Sequence, residues 1–70
     1  MTSPTTLARA AALLEREGTR ADLEARLHAA TSTARQAIRE LARVGAIVPV
    51  GRERNPRGGR PRTVWVRRDA

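Results

Sequence analysis

Between Thr31 and Gly45 the chain reads Thr-Ser-Thr-Ala-Arg-Gln-Ala-Ile-Arg-Glu-Leu-Ala-Arg-Val-Gly. On a 3.6-residue repeat, Ala34, Ala37, Ile38 and Leu41 share one stripe. Ser32, Arg35, Gln36, Arg39 and Arg43 fall on the opposite arc. That arc carries a hydroxyl and an amide near its start, and three guanidinium groups along its length. A guanidinium grips two acceptors of one planar edge, or a phosphate, through parallel N–H bonds. Hydroxyls, amides and guanidiniums are the groups that read base edges and hold phosphates. The plain alternative is a solvated polar face.

A second set of arginines lies further on. Arg52, Arg54, Arg57, Arg60 and Arg62 crowd around Gly58-Gly59, and the chain carries a net charge of +7 without a lysine. The charge is uneven. Residues 1–45 hold seven arginines against five acids, whereas residues 46–70 hold seven against two. A basic patch gathered at one end points to a polyanionic partner.

Length and composition exclude much else. Seventy residues make one small domain. The large apolar side chains suffice for one thin core, with little left for a buried enzyme pocket. There is no cysteine and one histidine, so neither a thiolate nor a histidine-cluster metal site is expected. No nucleophile–base–orienter set and no phosphate-cradling loop appears; Asp22, Glu24 and Glu40 are scattered over helix faces. The reading is therefore not an enzyme, with no cofactor, no metal and no evident small-molecule ligand. No apolar run approaches the roughly 20 residues of a membrane span, and the start lacks the pattern of a signal peptide. A cytoplasmic protein is the expectation.

The elements that must position the arginines can be read in order. Ser3-Pro4 suits an N-cap followed by a first helical residue, and Leu7, Ala10, Ala11 and Leu14 recur at helical spacing. A first helix is predicted over about 4–17, with Gly18 as its stop and Leu13 at the core margin. Thr19 can cap a second helix over about 21–29, in which Leu23 and Leu27 face inward and Asp22 and Arg26 form an i,i+4 ion pair. The third helix runs over about 31–45. Its start is set either by Thr31 or by a capping box at Thr33-Ala34-Arg35-Gln36, the earlier start being preferred. Ile47-Val48-Pro49-Val50 and Thr63–Arg67 read as two strands flanking a Gly/Pro-rich tip, hence an antiparallel hairpin over about 46–67. Pro49 makes its strand an edge. Trp65, the one aromatic residue, is expected to close the core between Val64 and Val66, the alternative being to stack on a base. The fold class is α+β, mainly α, in a single domain over 1–70.

From Thr19 to Ile47 the order Thr19…Asp22-Leu23…Leu27-His28…Ala34…Ala37-Ile38…Leu41…Gly45-Ala46-Ile47 resembles, without a gap, the winged helix-turn-helix family. It is similar in flavour to the GntR and MarR groups of bacterial regulators. Gly59–Trp65 looks like the return strand of their wing. Two positions depart from the family pattern: His28 stands where glycine is usual, and Ala30 where a capping serine is frequent. Thr31 is then expected to take over the cap.

The resemblance implies a recognition helix in the major groove of double-stranded DNA. By position Ser32, Thr33, Arg35, Gln36 and Arg39 match the family's contact residues. Arg35 or Arg39 suits guanine O6 and N7, and Gln36 suits adenine. Thr31, Ser32 and Thr33 suit phosphate, helped by the helix N-terminus, and Arg43, further along, is a phosphate candidate. The wing candidates are Arg52, Arg54, Arg57, Gly58, Gly59, Arg60 and Arg62. Pro56–Arg62 is similar to an AT-hook, whose core is Arg-Gly-Arg-Pro, with one glycine added. This leaves two options: entry into the minor groove, or an ordinary wing with arginines on phosphates.

The function so implied is a small sequence-specific transcriptional regulator. The alternative is a low-specificity architectural protein of the nucleoid, a plasmid or a phage. A winged helix used as a protein-interaction module ranks below both. A single winged domain covers one half-site, so the expected self-association is a weak or DNA-induced homodimer.

Overall fold

A computed structural model describes residues 2–69; Met1 and Ala70, the ends of the predicted 1–70 domain, lie outside the described residues. The elements are α1 (Pro4–Leu13), α2 (Arg20–Leu27), α3 (Thr31–Arg43), β1 (Ile47–Glu53) and β2 (Arg62–Arg67). This is the α+β, mainly helical layout expected: three helices followed by a two-stranded antiparallel hairpin.

Helix α1 starts as its residue types require. Ser3 accepts the Thr6 N–H at 3.2 Å, and Pro4 occupies the first turn, where its missing N–H costs nothing. The helix ends at Leu13, four residues short of the predicted Glu17. The carbonyls beyond that point turn to donors from distant parts of the chain. Arg26 Nη1 donates to Leu13 O at 2.9 Å and Arg16 O at 3.1 Å, and Arg26 Nη2 donates to Glu17 O at 3.0 Å. The Arg67 N–H donates to Leu14 O at 2.7 Å. This corrects the predicted Asp22–Arg26 pair: Arg26 caps the end of α1, and no ion pair joins it to Asp22 among the described residues. Gly18 makes the close approach possible, because a Cβ there would lie 2.9 Å from Arg26 Nη1.

Helix α2 opens with a full capping box. The Asp22 N–H donates to Thr19 Oγ1 at 3.2 Å, and the Thr19 N–H donates to Asp22 Oδ2 at 2.8 Å. Thr19 is 1% exposed, so a buried polar residue is present because both its groups are satisfied. At the far end His28 adopts the left-handed conformation, φ 53° and ψ 44°. Its N–H donates to Ala25 O at 3.4 Å and the Ala29 N–H donates to Glu24 O at 3.1 Å, the Schellman pattern. Three residues, His28 to Ala30, therefore suffice to turn the chain into α3.

The expected cap of α3 is not formed. Ala30 is the N-cap residue and no side chain bonds the first turn, so neither Thr31 nor Thr33 caps the helix. Thr31 is already helical, and its hydroxyl donates to Glu24 Oε1 at 2.6 Å, tying the start of α3 to α2. The helix ends at Arg43. Gly45, at φ 76°, supplies the left-handed residue of a second Schellman turn, with the Ala46 N–H on Leu41 O at 2.8 Å.

All four residues of the predicted stripe, Ala34, Ala37, Ile38 and Leu41, are buried. They meet Ala10 and Leu14 from α1, Leu23 and Leu27 from α2, and Ile47 from β1. Leu13 and Trp65 pack partly buried against this cluster, at the margin and as its lid. Fully buried leucines such as Leu14 and Leu23 contribute about 2 kcal/mol each. The hairpin pairs Ile47 with Arg67 and Glu53 with Arg62, with a bulge between Pro49 and Gly51. Gly18 and Trp65 exchange backbone hydrogen bonds at 2.9 and 2.8 Å. That bridge anchors the hairpin to the α1–α2 connection and so fixes where the wing stands relative to α3. No helix among the described residues is long and apolar enough to cross a membrane.

Candidate nucleic-acid interface

The polar arc of α3 is outward in the structure. Thr31, Ser32, Arg35, Gln36, Arg39 and Arg43 are exposed and Thr33 is half-buried. Arg35, Arg39 and Arg43 recur every fourth residue, so their Cα atoms span about 12 Å along one slowly turning stripe. Thr31 differs from the rest of this set: its hydroxyl donates to Glu24 of α2 across the surface of the helix pair. The single acid of α3, Glu40, is drawn off the arc by the N-terminal segment. The Thr2 N–H donates to its Oε2 at 3.2 Å. Hydrogen bonding by Thr2, side chain first, holds the Glu40 carboxyl below its usual range.

In the hairpin, Arg52, Arg54, Arg57, Gly58, Gly59 and Arg60 are exposed and Arg62 is half-buried. The tip is a turn with its own lock. The Gly58 N–H donates to Asn55 O at 2.9 Å, and the Arg57 N–H donates to Asn55 Oδ1 at 3.0 Å. Gly58 and Gly59 follow at φ 82° and 87°, which brings the chain back toward β2.

The arginines divide sharply by partner. Arg20 pairs with Glu24 at 3.4 Å, Arg26 holds three carbonyls, and Arg67 Nε lies 2.7 Å from Asp69 Oδ1. By contrast, no hydrogen bond or ion pair within the described residues engages the side chains of Arg35, Arg39, Arg43, Arg52, Arg54, Arg57, Arg60 or Arg62. No direct bond among the described residues ties these eight cations to the fold, although Arg62 lies near enough to Asp22, and Arg43 to Glu40, to favour the ionised carboxylate.

The helix and the hairpin meet at a cleft of about 450 Å³. Arg35 from α3 and Arg60 and Arg62 from the hairpin all line it, joined by Arg20 from the start of α2. Asn55 and Trp65 complete its rim and wall. The sequence therefore places Arg35, Arg60 and Arg62 in the site, and the fold brings these three together. Arg39 and Arg43 run away from the cleft along α3, and Arg52, Arg54 and Arg57 along the hairpin. Sequence reasoning missed Arg20 and Asn55. The one local signal for Arg20 was its place directly after the capping Thr19.

Asp22, in the capping box of α2, lies near one of the lining arginines, Arg62. The Thr19 backbone N–H, first, holds its carboxyl below the ordinary value of 3.8; burial opposes this, and the nearby Arg26 and Arg62 add to it. No group of three or more His, Cys, Asp or Glu gathers among the described residues to hold a metal ion. Comparison with protein-family models, with curated proteins and with solved structures gives no match for this chain.

Proposed function

We propose that the chain is a double-stranded DNA-binding protein of the winged helix-turn-helix type, acting as a small sequence-specific transcriptional regulator. The observation that carries this reading is the convergence of Arg35 on α3 with Arg60 and Arg62 on the hairpin, at one cleft and without internal partners. A helix about 10–12 Å across matches a major groove about 12 Å wide. With α3 seated there, Arg35, Gln36 and Arg39 address base edges, and Ser32, Thr33 and Arg43 address phosphates. The hairpin arginines then meet the adjacent minor groove or its backbone. Its place of action on this reading is the cytoplasm, at the nucleoid, and its assembly a weak or DNA-induced homodimer.

The test is selection of bound duplexes from a random pool, followed by titration of the selected and a scrambled duplex at fixed salt. A regulator shows a preference of at least a thousandfold. Arg39→Ala then costs about 1–3 kcal/mol at one base position and leaves the others unchanged. A ratio near one sinks the regulator and supports the architectural reading, which the arginine- and glycine-rich tip at Arg57–Arg60 favours. Absence of any duplex binding at moderate salt sinks both.

A further inference from the structure

The cleft between α3 and the hairpin is larger and differently walled than a grip on a backbone phosphate requires. Its volume of about 450 Å³ falls in the ~300–1,000 Å³ range of small-ligand sites. Four arginines line it, Arg20, Arg35, Arg60 and Arg62, and no acidic residue does; of the four only Arg20 has an ion-pair partner, Glu24. Glu24, the nearest acid to Arg20, is spent on that residue and on Thr31. Asp22 feels Arg62 but stays in its capping box. Trp65, half-buried and packed against the core, forms another part of the lining. An aromatic face accepts a planar ring by offset stacking, and guanidinium planes stack on the same rings.

We propose that this cleft is a binding site for a free nucleotide-class anion, with its planar ring against Trp65 and its phosphate among Arg35, Arg60 and Arg62. Occupancy neutralises the cations at the helix–hairpin junction and fills the space between the two gripping elements. The ligand is therefore an antagonist of duplex binding. The binding half of this proposal stands alone, whereas the antagonism rests on the DNA reading above.

Trp65 is the sole aromatic residue, so its emission reports the cleft directly. The probes are AMP, adenosine and inorganic phosphate at constant ionic strength. AMP gives saturable quenching at least tenfold tighter than either adenosine or phosphate, because only AMP engages both walls. Arg35→Gln with Arg60→Gln weakens AMP at least tenfold; neither side chain has an internal partner, so the melting temperature stays near that of the parent. Arg9→Gln with Arg16→Gln removes the same charge elsewhere and leaves AMP binding unchanged. AMP binding no tighter than phosphate, or equal weakening by both double variants, shows a general charge effect and overturns the proposal. Saturating AMP lowers duplex affinity at least fivefold; an unchanged duplex affinity overturns the antagonism. AMP binding without any duplex binding sinks the DNA reading alone. Duplex binding without AMP quenching sinks the nucleotide site alone.

Discussion

At the scale of single residues, Arg26, Asp22 and His28 show how few side chains fix the helix ends. Arg26 satisfies three carbonyls at the end of α1, a use no helical spacing announces. Asp22 closes the capping box of α2, and its folded-state carboxyl lies below the ordinary value of 3.8. A depressed carboxyl contributes stability that is fully present above its unfolded value and is lost as pH falls through 3.8 and on through the folded value. Thermal melts of the parent and of Asp22→Asn should thus differ by about 1 kcal/mol at pH 6, a difference that shrinks as pH falls below 3.8. A difference that does not shrink at all below pH 3.8 would assign the effect to something other than the carboxylate. His28 holds a left-handed backbone that costs a non-glycine residue about 1–2 kcal/mol. His28→Gly removes that strain at some entropic cost in the unfolded chain. The expected result is a net gain of up to about 1 kcal/mol, or roughly 4–8 °C in Tm at the upper end; an unchanged or lower Tm refutes the strain.

At the scale of elements, the weak point is the start of α3. Ala30 has the extended backbone of an N-cap, φ −69° and ψ 157°, but no side-chain oxygen to offer. Ala30→Ser adds the missing acceptor, and guanidinium unfolding should show a gain of about 1 kcal/mol with an unchanged m-value. The same helix marks what the sequence revealed. Its stripe of Ala34, Ala37, Ile38 and Leu41, the Ser3 cap and the Thr19 cap were all readable, because each depends on neighbours within four residues. The end of α1 was not, because its carbonyls take their donors from Arg26 and Arg67. Nor was the role of Thr31, which depends on Glu24 one helix earlier. The cleft joins Arg20, Arg35 and Arg62 across three elements, a proximity that no spacing encodes; only the presence of arginines on both α3 and the hairpin was legible.

At the scale of the whole molecule, the +7 charge divides into cations that hold the fold and cations that do not. The first group is Arg20 and Arg26; the second includes Arg35, Arg39 and Arg43 of α3 and Arg52, Arg54, Arg57, Arg60 and Arg62 of the hairpin. On the DNA reading, the two parts of the second group have separable signatures. Each phosphate neutralised steepens the fall of log K with log salt by about 0.9. Arg57→Ala with Arg60→Ala should therefore weaken selected and scrambled duplexes alike and flatten the salt slope by about 2. Arg39→Ala should instead leave the slope within about 1 of the parent and weaken only duplexes that carry its base. Fluorescence anisotropy across a fourfold salt range measures both. A hairpin variant with the parental slope would mean that the hairpin arginines contact no phosphates, and the division of labour between helix and hairpin would fall with it.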